Sequence, residues 1–131
     1  MQLAATRIIT DDVDGLVAFY ERVTGLDARR LHPLFAELAT ASGTLAIASS
    51  QTVSLLGEDA AEPRANRSVA FDFLVDDVDA AYAALAGTVE LVQGPTDLPW
   101  GNRSLLFRDP DGNLVNVFSP ATAEARDRFG V

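Results

Sequence analysis

Few residues in this chain can do chemistry, and where they stand is informative. Among 131 residues there is no cysteine, one histidine and one tryptophan. No thiol nucleophile or thiolate metal site can therefore form. The single His32 precedes Pro33 in what should be a strand connection, where a solvated imidazole is the plainer reading, and no Ser-His-Asp set can be built around it. What remains is a set of carboxylates, arginines and amides. In the stretch DPDGNLVNVF, Asp109 to Phe118, a tight turn runs straight into a strand whose middle is Asn116, between Val115 and Val117. Side chains alternate along a strand, and a polar group placed against an apolar core is costly, so Asn116 must face something else. The face it shares on this hairpin is expected to carry Arg103, Leu105, Phe107, Leu114 and Phe118. That is an apolar surface with a few polar anchors, as small-molecule pockets usually are.

Two charges stand in strand-like segments at matching places, Arg7 in LAATRIIT and Asp72 in SVAFDFLV. Both are expected to look inward. A lone buried charge costs several kcal/mol, so each should pair with the other, with a partner chain or with a ligand. A structural ion pair is as good an account of them as ligand binding. Asp72 could also act as a general base if desolvation raised its pKa. Trp100, between Pro99 and Gly101, should sit on the loop entering the closing hairpin, either as a lid on the sheet edge or as a platform for an aromatic ligand.

Composition narrows the partners. Hydrophobic residues make up 48% and charged residues 22% of the chain, which is globular composition, and the length suffices to bury roughly two-thirds of the unfolded surface. The net charge is −9, and all ten basic residues are arginines, with no basic stripe among them. Nucleic acid is therefore a poor partner, and cationic or neutral small ligands fit better, although an acidic balance by itself is sufficiently explained by solubility. No apolar run approaches the ~18 residues of a membrane span, and the N-terminus has no signal-peptide pattern. A soluble, cytoplasmic protein is expected, and the lack of cysteine agrees with a reducing compartment.

The elements that must position these residues come in two copies. TDDVDGLVAFYERVTGL and VDDVDAAYAALAGTVEL each offer an N-capping aspartate, Asp12 and Asp77, then apolar residues at helical spacing, then a glycine stop, Gly25 and Gly87. A strand precedes each helix. A strand, tight turn and strand follow it, in LFAELATASGTLAIAS and RSLLFRDPDGNLVNVFS. With one short strand near Ala28–Leu31 and another near Thr88–Gln93, each half reads βαβββ, an α+β class. The first module is expected over residues 1–56, a polar linker over 57–67, the second module over 68–120 and a short helix or tail over 121–131. The acidic turn does not read as a calcium loop, because aligning Gly112 with the loop glycine puts Phe107 and Phe118 where oxygen ligands are required.

Two βαβββ modules, the DDVD helix starts, PWG ahead of a strand and FRDPDGNLVNVFSP together resemble the vicinal oxygen chelate superfamily, which includes glyoxalase I, extradiol dioxygenases and the bleomycin and mitomycin resistance proteins. The resemblance implies curved sheets enclosing a ligand cavity with helices outside, and a homodimer. It also implies four metal-ligand slots, which fall here on Ala5, Ile47, Ala70 and Asn116. That set cannot hold a divalent cation, so a site without metal or other cofactor is expected and the glyoxalase and dioxygenase chemistries should be absent. The AFDF alternation and the WG segment bring it nearest in character to the mitomycin-type resistance proteins. The favoured reading is a protein that sequesters a flat metabolite or antibiotic, with Arg7, Asp72, Trp100, Arg103, Leu105, Phe107, Asn116 and Phe118 as its ligand-binding residues. A cofactor-free isomerase or cyclase using Asp72 is the second reading, and a metal-dependent lyase or dioxygenase the third.

Overall fold

The computed structural model describes residues 1–131. It divides into two compact units, Met1–Asn66 and Arg67–Val131. The first unit runs β1 (Thr6–Thr10), α1 (Val13–Thr24), β2 (Arg29–His32), β3 (Phe35–Ala39) and β4 (Thr44–Ser49), closing on a 3-10 turn over Ser50–Leu55. Its sheet has the order β1-β4-β3-β2, with β1 parallel to β4 and the other pairs antiparallel. The second unit repeats the plan with β5 (Ala70–Leu74), α2 (Val78–Leu85), β6 (Glu90–Asp97), β7 (Asn102–Arg108) and β8 (Leu114–Pro120), in the order β5-β8-β7-β6. Each half is thus the expected βαβββ. The C-terminal stretch adds α3 (Ala123–Phe129).

The helices begin where their caps dictate. The Asp12 carboxylate accepts from the Gly15 amide at 2.9 Å and Asp77 from the Ala80 amide at 3.1 Å, each satisfying a donor the first turn leaves orphaned. Gly25, at φ 70°, ends α1 with its amide on the Glu21 carbonyl. The buried face of α1 is Val13, Leu16, Phe19 and Tyr20, which packs on β3 and β4. Beneath it lie Ile8, Ala36, Leu38, Leu45 and Ile47, all buried, on the paired positions that share one face of the sheet. In the second unit Val78 and Leu85 of α2 cover Leu105, Phe107, Val115 and Val117 in the same way. Burying each such side chain contributes about 1.5–3 kcal/mol, so these two apolar layers carry most of the stability of their units.

One face of each sheet is therefore taken by α1 or α2. The β7–β8 turn is fixed by a buried carboxylate: Asp109 accepts from the amides of Asp111 and Asn113 and from the Asn113 side chain, at 2.8–2.9 Å. Gly112, at φ 84°, takes the left-handed position of that turn. Strand β6 is irregular, with pairing shifts on both sides of Gln93. No helix is long and apolar enough to cross a membrane.

Candidate functional site: the face of the second sheet opposite α2

Pairing across the second sheet sets which side chains share a face. Asp72, Asn116, Leu106 and Gln93 form one row from β5 to β6, and Leu74, Phe118, Ser104 and Thr96 form the next. Pro120 and Asn102 continue the series at one end, and Ala70, Leu114, Arg108 and Glu90 at the other. All lie opposite α2. At the centre, Asn116 Nδ2 donates to Asp72 Oδ1 at 2.9 Å. A carboxylate only accepts, so this bond fixes which way the amide points and leaves Asn116 Oδ1 as an acceptor. That oxygen is buried and has no hydrogen-bond partner, and the same is true of Ser104 Oγ and Asn102 Oδ1. Ser104 is 1% exposed and Asn102 8%. Three orphaned polar atoms on one face of one sheet is a concentration of unmet hydrogen bonding, each worth about 1–3 kcal/mol of desolvation penalty.

The face is not bare. Phe118 meets Phe129 of α3 edge-on, with ring centroids 5.1 Å apart, so α3 lies on the side of the sheet away from α2. Thr122 caps α3, and the Gly101 carbonyl accepts from both the Ala121 and Thr122 amides, at 2.7 and 3.2 Å. A Cβ at Gly101 would stand 2.5 Å from Thr122 Oγ1, which is why glycine occupies this position, at φ 93°. Beside it Trp100 is 65% exposed and lines a cleft of about 480 Å³ with Pro99, Gly101, Thr122, Ala123 and Glu124. This cleft lies beyond the start of β7, whereas Asn116 pairs with Leu106 four residues further along, about 13 Å at strand rise.

Some of the sequence expectations fall on the wrong face. Arg103, Leu105 and Phe107 pair with Ser119, Val117 and Val115, so they point toward α2 and not with Asn116. The cause is the length of the turn. Arg108 pairs with Leu114 across five residues, 109–113, so even-numbered residues of β7 stand beside even-numbered residues of β8. Leu105 and Phe107 are wholly buried core, and Arg103 is engaged by two carboxylates. Its Nε and Nη2 fork onto Asp79 at 3.1 and 3.0 Å and its Nη1 reaches Asp97 at 3.1 Å, contacts that hold the guanidinium above its ordinary range, Asp79 first. Leu114 and Phe118 do share the Asn116 face. Ser104, Asn102, Leu106, Gln93 and Thr96 also belong to it, and the turn length is the signal that would have shown them.

The first unit needs a matching correction. Its β3–β4 turn spans four residues, 40–43, so Ala39 pairs with Thr44 and the position equivalent to Asn116 is Ala46, not Ile47. Ile47 pairs with Ile8 and Ala36 in the core under α1. Arg7 and Asp72 stand on the sheet faces opposite α1 and α2, but both are exposed, and the hydrogen bond Asp72 makes goes to Asn116. Arg7 shares its row with Ala46, Glu37 and Arg29. His32 is exposed in the β2–β3 turn, where Nδ1 accepts from the Leu34 amide at 3.1 Å. The corrected slots read Ala5, Ala46, Ala70 and Asn116, and no three His, Cys, Asp or Glu side chains cluster anywhere in the chain. The residues present do not fit the divalent cation that such a fold can carry.

Two α+β units of the same βαβββ plan, each with a helix on one side of a mixed four-stranded sheet, define the class. The chain belongs to the Glyoxalase/Bleomycin resistance protein/Dioxygenase superfamily, whose family model matches residues 2–117. Among solved structures it is similar to a glyoxalase/bleomycin resistance protein/dioxygenase family enzyme from Burkholderia phytofirmans PsJN, with a TM-score of 0.80 and 20% identity over 92% of this chain and 99% of that one. A glyoxalase/bleomycin resistance protein/dioxygenase from Nocardioides gives a TM-score of 0.76 and 24% identity over 94% and 85%. TioX from Micromonospora sp. ML1 gives 0.68 and 24% over 92% and 99%. At these identities the likenesses establish the fold alone. No curated protein matches the chain.

Proposed function

We propose that this protein binds a small, largely flat molecule on the face of its second sheet opposite α2 and sequesters it without a metal. The observation that carries this reading is the series of orphaned polar atoms along this face, Asn116 Oδ1, Ser104 Oγ and Asn102 Oδ1, beside the half-buried apolar side chain of Leu106. A face kept for packing alone would hold apolar residues or satisfied polar ones, because an unpaired buried acceptor lowers stability. A bound molecule that supplies the missing donors offsets that loss, and the apolar neighbours hold its body. The donor set argues against the metal-dependent chemistries of the superfamily, since one amide among three alanines gives no site for a Lewis acid.

The test is elemental analysis of the protein after mild purification, together with a thermal-shift screen of planar aromatic compounds. Less than one divalent ion per ten chains, a melting temperature unmoved by chelator, and raised melting temperatures with some planar compounds are expected. One tightly held Zn, Ni, Mn or Fe per chain would overturn the metal-free reading.

A further inference from the structure

Resting on that proposed binding reading, we infer that the face selects ligands by charge and hydrogen-bond polarity: it takes a planar cation that presents N–H donors, of the amidinium, guanidinium or protonated arylamine class. The polarity follows from the Asn116–Asp72 bond. Asn116 spends an amide hydrogen on the Asp72 carboxylate at 2.9 Å, which turns Asn116 Oδ1 into a buried acceptor without a donor. Asp72 itself is exposed, and its second oxygen makes no hydrogen bond. One row away Ser104 Oγ, in the 1% exposed side chain, is likewise unpaired, and Asn102 Oδ1 follows two residues along the same strand. The amide and carboxylate oxygens can only accept, and the hydroxyl can do either. The orphaned buried atoms therefore call chiefly for donors from a ligand.

Charge points the same way. The ionisable groups that the strands place on this face are Asp72, Glu90 and Arg108, and α3, on the same side of the sheet, carries Glu124, Arg126, Asp127 and Arg128, the last with its guanidinium over the Phe129 ring. Arg108 is turned to the end of its hairpin, where Nη1 donates to the Gly112 carbonyl at 3.2 Å. Asp72 is the charge bonded directly to the orphaned amide, in a protein whose net charge is −9. An anion would meet unpaired acceptors and a carboxylate, both repulsive, whereas a flat cation with two N–H groups can donate to Asn116 Oδ1 and Asp72 together in charge-assisted bonds. Leu106, half-buried in the same row, then flanks its ring.

Three probes with one ring and different edges isolate this point: benzamidine, benzamide and benzoate, titrated into ¹⁵N-labelled protein. Benzamidine is expected to move the Asn116 side-chain amide and the backbone amides of Ser104 and Leu106, and to bind at least about tenfold more tightly than benzoate, with benzamide between them. Asp72→Asn, at an exposed position, should weaken benzamidine about tenfold and erase most of its advantage over benzamide. Ser104→Ala serves as a second variant, expected to weaken benzamidine severalfold. Benzoate binding this face as well as benzamidine does would overturn the selectivity and leave the binding reading standing. If none of the three shifts these residues at millimolar concentration, both fall. Unchanged benzamidine affinity in Asp72→Asn would also overturn the inference.

Discussion

Asn116 and Asp72 stand side by side on parallel strands, joined by a 2.9 Å bond from amide to carboxylate, and the bond leaves the amide oxygen buried with nothing to accept from. Function and stability are opposed at that atom. Asn116→Leu removes the orphaned acceptor and leaves Asp72 solvated, so unfolding in urea should show stability unchanged or raised by up to about 1 kcal/mol. Binding to the face should be lost in the same variant. A loss of 2 kcal/mol or more would mean that the amide supports the fold and not a ligand.

Phe107 and Arg103 should act through the other side of the sheet. Phe107→Ala opens a cavity beneath α2 and should cost about 3–5 kcal/mol in chemical denaturation. Arg103→Met breaks a fork that is largely at the surface and should leave the denaturation midpoint nearly unchanged. In whatever Arg103→Met protein remains folded, ligand affinity should be unchanged within twofold, measured by calorimetry.

Asp11 offers a pH-dependent tie. Its carboxylate accepts from the Ser50 hydroxyl at 2.5 Å and from Arg64 Nη1 at 2.7 Å, and these contacts, Ser50 first, hold its pKa below the ordinary aspartate value. A pKa lowered by folding means the stabilisation is complete above the unfolded value, near 3.9, and is lost as pH falls through the lower folded value. The ¹⁵N shift of the Arg64 amide should therefore be flat from neutral pH down to about pH 4 and move only below it. Asp11→Asn should show the altered shift already at pH 7. Titration of the wild-type shift near pH 6 would contradict this assignment.

Trp100, the single tryptophan, reports on its own cleft. A planar ligand that stacks there should quench indole fluorescence, and Trp100→Ala should weaken it roughly tenfold with no loss of stability, because the ring is largely exposed. Quenching without an affinity change in the variant would make Trp100 a bystander. Affinity lost in Trp100→Ala together with native Asn116 shifts on binding would separate the cleft from the Asn116 face.

Much of this was legible in the sequence because local chemistry dictated it. The paired Asp12 and Asp77 caps, the Gly25 stop and the valines flanking Asn116 fixed both helices, the strand types and the polar exception in β8. The failures share one cause. Facing depends on turn length, and a residue count that treats Gly43 and Gly112 as equivalent ignores Asn113, the extra residue after Gly112 that Asp109 holds in place. One residue of turn moves a whole strand to the other face, which is why Ile47, Leu105 and Phe107 belong to the core and not to the Asn116 face. The pairing of Asp72 with Asn116 is not legible in the sequence, because parallel pairing between β5 and β8 is set by the path through α2 and the closing hairpin.

Strand β6 shows a backbone device of another kind. It is an edge strand with Leu91 and Val92 about half exposed, a combination that invites a second chain to zip alongside. Its pairing slips on both sides of Gln93, and Gly94 and Pro95 follow at once, the latter with no amide hydrogen to offer. An approaching extended segment would meet a ladder with missing and misaligned rungs. Apolar side chains can therefore stay uncovered at this rim without making it a template for aggregation.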